Sequence, residues 1–282
     1  FGRWLLTRFG YRSRAVDTSV GAVHLLARDG GGELPPVLLI HGFGAAAMQW
    51  VPLVRALRPH VRSVWAIDLP GHGFSHRPDR LTLDVLRDGV IEALDQVHSE
   101  IGPAVVVGNS LGGAVALRYA HARPDRAVAV HLLSPGGAPM APDELREVQR
   151  LFRVVTHTDA TTFLDRLYAT PRGWTGHLLA PFVRRVFADP ALHDLLAEVT
   201  DADWLTPDEV RQLPHPLRVS WGRLDRILPA AAVGFWRAHL PDRGELDEPE
   251  AFGHVPQLDS PGRTAADIVA FTRRAVLPRG GG

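Results

Sequence analysis

The chain of 282 residues contains no cysteine. That single absence excludes a disulfide framework, a thiolate nucleophile and a thiolate metal site. Lysine is missing too, so all 31 basic Lys/Arg positions are arginine. We read this as a GC-rich coding bias rather than as chemistry. No apolar run approaches the roughly 20 residues of a membrane-spanning helix. An excess of either charge is also lacking, because 31 acidic residues balance the 31 basic ones. With no global field, nucleic acid is not an expected partner. The sequence has no H-E-x-x-H motif and no histidine pair at helical spacing backed by a carboxylate, so neither a metal nor a cofactor is expected.

What is present suits a folded enzyme-sized domain. Hydrophobic residues make up 45% and charged residues 22%, which supports a packed core and argues against disorder. The length fits one α/β domain with an insertion, or two small domains. Phe1–Phe9 mixes arginine with bulky apolar residues. It is expected to pack on the domain, with a membrane-surface contact as the alternative. The chain begins at Phe1, so a trimmed N-terminus is expected, with a removed signal or anchor left open. Gly280–Gly282 reads as a frayed tail. The expected protein is cytoplasmic and monomeric or dimeric.

Short apolar runs alternate with longer helical patterns, the rhythm of βα units around a mostly parallel sheet. Arg14–Asp17 and Ala22–Ala27 read as an opening antiparallel pair. Val37–Ile40 is continuously apolar, as in a strand buried on both faces. A helix is expected over Ala45–Leu57, a strand over Val61–Ile67 and a helix over Leu83–His98. Ala104–Val107 is the most β-like run, followed by a helix over Ala114–Ala122 and a strand over Ala127–Leu133. Leu217–Trp221 and Gly244–Asp247 read as the last strands and Thr264–Val276 as the closing helix. The stretch between has short amphipathic helical patterns broken by Pro142, Pro171, Pro181, Pro190 and Pro207. This divides the chain into a sheet core, residues 1–137 and 215–282, and a helical lid, residues 138–214.

Four motifs sit at the ends of these strands. Gly108-Asn109-Ser110-Leu111-Gly112 fits G-x-S-x-G between a strand and a helix, the context in which a serine is held exposed on a strained turn. A Gly-rich turn with an incidental serine is the plainer alternative, and the strand–helix context weighs against it. His41-Gly42-Phe43-Gly44 follows the buried run Val37–Ile40. Its glycines let the loop approach a substrate, so Phe43 is expected to offer a backbone amide to an oxyanion alongside that of Leu111. Trp221-Gly222-Arg223-Leu224-Asp225 places an acid after a strand. Phe252-Gly253-His254 places a histidine after the last one. The order Ser110, Asp225, His254 suits a nucleophile, an orienting acid and a general base. Asp68 and His72, in Asp68-Leu69-Pro70-Gly71-His72-Gly73, are read instead as a shaped loop with Asp68 capping backbone amides.

Together these residues resemble the α/β-hydrolase superfamily, specifically its lidded serine members, over about Val20 to Val276. Haloalkane dehalogenases and epoxide hydrolases share much of the pattern but carry an aspartate where this chain has Ser110. The resemblance is strongest to carboxylesterases and monoacylglycerol-lipase-like enzymes, and to the C–C bond hydrolases of aromatic ring-fission products. The latter usually carry a tryptophan after the histidine, whereas Val255 stands here. The resemblance therefore implies hydrolysis of small-molecule carboxylic esters, either short- to medium-chain acyl esters or monoacylglycerols. C–C hydrolysis is the alternative, and a ligand-binding, receptor-like role is the third. Trp50, Met140, Phe163, Leu167, Trp174, Leu178 and Phe182 are expected to line the substrate pocket. Arg184-Arg185 are expected on a solvated lid face, with a substrate carboxylate as their alternative partner.

Overall fold

The computed structural model describes residues 7–276. Phe1–Leu6 and the Gly280–Gly282 tail lie outside the described residues, and so does most of Phe1–Phe9, the segment expected to pack on the domain with a membrane-surface contact as the alternative. Eight strands form one sheet in the order β1-β2-β4-β3-β5-β6-β7-β8. They are β1 Arg12–Thr18, β2 Gly21–Asp29, β3 Val37–Ile40, β4 Ser63–Ile67, β5 Ala104–Asn109, β6 Ala127–Leu133, β7 Leu217–Ser220 and β8 Gly244–Asp247. The β1/β2 and β2/β4 pairs are antiparallel and the remaining pairs parallel.

The central strands explain themselves. Every residue of β3 (VLLI) and β5 (AVVVGN) is buried, because helices cover both faces of a parallel sheet. Alternate residues supply the two cores. Leu38, Ile40 and Val106 pack with Leu86, Val90 and Leu94 of helix Leu83–Ile101. Val37, Leu39, Val105 and Val107 pack with Leu53 and Leu57 of helix Val51–Leu57 and with Ile268 and Phe271 of helix Pro261–Val276. Helix Leu83–Ile101 starts where the Thr82 hydroxyl accepts from the Val85 amide, and it stops at Gly102, whose φ is 71°.

Two departures from the expected elements have local causes. The segment read as one helix, Ala45–Leu57, is a 3-10 turn over Ala47–Trp50 followed by helix Val51–Leu57. The prolines read as breakers mostly open helices. Pro142, Pro190 and Pro207 each occupy the first turn, where a missing N–H costs nothing. Pro181 lies within helix Trp174–Val186 without ending it. Between β6 and β7 the chain thus forms the helices Pro142–Leu151, His157–Leu167, Trp174–Val186, Pro190–Ala197 and Pro207–Arg211. Among the described residues, no helix is long and apolar enough to cross a membrane.

This topology positions the site. From β3 the chain crosses to β4 on one side, and from β5 it crosses to β6 on the other. The loops after β3 and β5 therefore diverge at adjacent strand ends, with Ile40 paired to Gly108. A crevice opens at such a switch point, beyond the carboxyl ends of the strands.

Candidate active site

Ser110 stands between β5 and helix Leu111–Ala122 with φ 55° and ψ −126°. This is a region L-residues avoid, at a cost of order 1–3 kcal/mol. The surroundings hold it there. Its amide donates to the Leu133 carbonyl at 3.1 Å, and its carbonyl accepts from the amides of Gly113 and Gly136, each at 2.8 Å. The flanking glycines are sterically required. A Cβ on Gly108 would lie 2.2 Å from the Gly112 carbonyl oxygen, and one on Gly112 would lie 2.3 Å from that of Ile40.

His254 is buried, and its Nδ1 lies 2.7 Å from Asp225 Oδ2. The other Asp225 oxygen accepts from the amides of Ile227 and Leu228 at 2.8 and 3.1 Å. Burial pushes the Asp225 carboxyl up, but the charge and hydrogen bond of His254 and these two amides together hold it below its ordinary value. An ionised carboxylate only accepts, so in the neutral imidazole Nδ1 carries the proton and Nε2 keeps its lone pair. Ser110 and His254 line the same cavity.

The loop after β3 closes against the serine. A Cβ on Gly42 would fall 2.9 Å from Ser110 Cβ, so only glycine lets the backbone come this near. His41 fixes the loop from beneath. Its Nε2 accepts from the Leu69 amide at 3.0 Å, so Nδ1 donates to the Gly42 carbonyl at 2.8 Å. Leu111, the first residue of its helix, has an amide with no acceptor inside the helix. Asp68 accepts from the amides of Ala47 and Phe74, at 2.6 and 3.1 Å, in keeping with a capping role. Its imidazole partner is His24, at 2.7 Å, rather than His72. The His72 ring instead sits edge-on to Phe43.

Sequence reasoning missed a buried strap. Asn109 Nδ2 donates to the carbonyls of Leu133 and His254, both at 2.9 Å, and its Oδ1 accepts from Gln257 Nε2 at 2.9 Å. The residue before Ser110 thus anchors the loop that carries His254. Nothing local in the sequence marks it.

Two apolar cavities meet at Ser110, Phe43 and Phe152. One, of about 100 Å³, runs past Leu111, Gly136, Met140 and Val148 toward Leu195 and Trp204. The other, of about 250 Å³, runs past His254 toward Phe163, Leu167, Val183 and Phe182. Of the seven residues expected in the pocket wall, Met140, Phe163, Leu167 and Phe182 are there. Trp50 is not. The 3-10 turn directs it into the core on the other face of the sheet, where it is wholly buried. Trp174 and Leu178 are not there either. They lie on the outward face of helix Trp174–Val186, 74% and 61% exposed. Arg184 is exposed and donates to the Val155 carbonyl, and neither Arg184 nor Arg185 lines either of these two cavities.

The family model for the alpha/beta hydrolase fold matches residues 35–261. The chain belongs to the α/β-hydrolase family. Among relatives of this α/β hydrolase is the dihydrolipoyllysine-residue acetyltransferase component of the acetoin cleaving system of Pseudomonas putida. The two are 32% identical over 87% of this chain, which spans 65% of that protein's length. A monoacylglycerol lipase of Rattus norvegicus is 24% identical over 85% of this chain and 76% of its own. The solved 2-hydroxy-6-oxo-6-phenylhexa-2,4-dienoate hydrolase of a Rhodococcus strain superposes with a TM-score of 0.79 at 26% identity. That match covers 93% of this chain and 99% of the other.

Proposed function

We propose that this α/β hydrolase is a serine esterase that cleaves neutral carboxylic esters, either short- to medium-chain acyl esters or monoacylglycerols, through an acyl-enzyme. His254 Nε2 takes the Ser110 proton as Oγ attacks the ester carbonyl. The amides of Phe43 and Leu111 receive the oxyanion. His254 then returns the proton to the departing alkoxide. That step puts the alcohol in the cavity on the His254 side and the acyl group in the cavity beside Leu111 and Gly136. Water activated by His254 attacks the acyl-enzyme carbonyl, the Ser110 oxygen leaves with the proton, and the acid departs. The helices between β6 and β7 act as the lid over this site.

The observation that carries this reading is the charge of the cavities around Ser110. The arginines that line them already have carboxylate partners: Arg87 is paired with Asp84 and Asp88, and Arg118 with Glu209. An anionic substrate would compete with those carboxylates, whereas a neutral ester only needs the apolar walls. The likeness to a monoacylglycerol lipase agrees with this.

The deciding measurement is initial rates on p-nitrophenyl esters from acetate to palmitate, wild type beside Ser110→Ala. Turnover that disappears in the variant supports the esterase. A folded wild type with no turnover on any ester rejects it. The likeness to the Rhodococcus hydrolase favours a second reading, C–C cleavage of a dienoate. That reading requires faster turnover of such an anion than of any ester in the series.

A further inference from the structure

Helix Trp174–Val186 presents large apolar side chains to solvent at every fourth position. Trp174, Leu178, Phe182 and Val186 are 74%, 61%, 71% and 39% exposed. At 100° per residue these four drift around only a third of the helix, so they form one continuous stripe. Scattered exposed hydrophobes need no explanation, but a contiguous stripe marks a contact surface. The packing of the helix is already complete on the opposite side, where Gly176 and Ala180 are buried.

The helix's own charges have one sign. The helix carries no acidic residue, and it holds His177, Arg184 and Arg185. By the same geometry Arg185 falls within the exposed arc, while His177 and Arg184 lie together along one edge of the stripe. Arg172 precedes the helix, its guanidinium 4.0 Å from the Tyr168 ring centroid. Two carboxylates of the adjoining helix stand beside the patch, Asp159 near Arg184 and Asp165 at the Arg172 amide, and the basic groups outnumber them. Asp159 accepts from the Val155 and Thr156 amides, and Asp165 accepts from the Arg172 amide. The exposed Val155, whose carbonyl receives Arg184 Nε, extends the apolar surface at one edge.

We infer that this face docks on an anionic lipid surface. An aromatic and aliphatic stripe edged with arginine is the pattern of a helix lying in the plane of a bilayer interface. The arginine stems fold along the apolar face and the guanidinium groups meet headgroup phosphates. A second copy of the chain is the poorer fit. A two-fold contact sets this patch against itself, bringing Arg185 and Arg184 of each copy toward those of the other. The stripe is also continuous with the interior. Phe182 and Val186 line the cavity that holds Ser110 and His254, so the docked face would open that cavity toward the lipid. The inference concerns binding and does not depend on which ester, if any, is cleaved.

The test is co-sedimentation of the full chain with vesicles of phosphatidylcholine alone and of phosphatidylcholine mixed with phosphatidylglycerol. The variant is Trp174→Glu with Leu178→Glu, two residues remote from the cavity. Docking predicts binding to the mixed vesicles that rises as salt is lowered. The variant's partition falls on the order of tenfold, while its circular dichroism and its rate on a soluble short-chain ester match wild type. A wild type that sediments with neither vesicle overturns the inference. Equal binding by the variant overturns it as well. So does wild-type dimerisation in solution that the variant abolishes, which would assign the face to a second copy.

Discussion

In the proposed mechanism Asp225 decides which nitrogen of His254 is free to act. Asp225→Asn replaces an obligate acceptor with a group that can donate toward Nδ1, which favours the tautomer with its proton on Nε2. Turnover should fall on the order of 10⁴-fold, the size of the same change in a serine protease triad. Steady-state rates on the best p-nitrophenyl ester, with thermal unfolding run beside them, measure it. A loss below about tenfold in a folded variant would remove Asp225 from this role. Ser110 and Asp225 can be picked out in sequence because each follows a strand-like run, and His254 because it completes the order Ser, Asp, His just before the closing helix. The Asn109–Gln257 hydrogen bond cannot, because its partners stand 148 positions apart and meet only once the sheet has formed. Trp50 misleads for a related reason. It is close in sequence to the Phe43 loop, yet one 3-10 turn carries it to the opposite core.

At the scale of elements, strands buried on both faces announce themselves as unbroken apolar runs, so β3 and β5 are readable without coordinates. Helix Ala231–His239 is not. It is short and carries a glycine and an aromatic pair, and its order comes from Trp236 entering the core. The helices between β6 and β7 are legible as a group but not individually, because a proline at a first turn and a proline at a break look alike in sequence. The partition between the two cavities is a tertiary product as well. Phe152, at the end of helix Pro142–Leu151, packs against Phe43, Phe163 and Phe187 with ring centroids 5.0 to 5.6 Å apart. Phe152→Ala should join the cavities at a stability cost of about 3–5 kcal/mol. The chain-length optimum on p-nitrophenyl esters should move to longer acyl groups. An unchanged optimum in a folded variant would show that the ring does not set acyl length.

Across the whole molecule, three buried histidines link stability to pH. Burial lowers His41 from its ordinary value of 6.5, His72 to about 3 and His131 to about 4. All three are neutral in the folded state and regain a value near 6.5 on unfolding. Below pH 6.5 the unfolded chain therefore binds more protons than the folded one. Their contribution is complete above that pH and is lost as acid is added, at about 1.4 kcal/mol per pH unit for each histidine. The loss attributed to His131 ends near its folded value of about 4. The unfolding temperature should hold steady above pH 7 and fall from 6.5 downward, before the carboxylates titrate. A flat profile down to pH 5 would contradict this.

The backbone of His254 is not independent of the helices above it. Its amide donates to the Leu167 carbonyl at 3.2 Å, and the Asp259 carboxylate joins the amides of Ala169 and Gly253, at 3.0 Å each. Arg226, beside the acid, reaches the carbonyls of Asp165 and Tyr168. The end of helix His157–Leu167 is therefore pinned to both loops that supply the histidine and the acid. Helix Trp174–Val186 hangs instead from the inserted segment itself, through Arg184 to Val155 and His177 to His157. The contacts of His254 and Arg226 tie the inserted helices to the loops that carry His254 and Asp225. In the proposed esterase, an opening that admits substrate would swing the outer helix while the imidazole and its carboxylate stay in register.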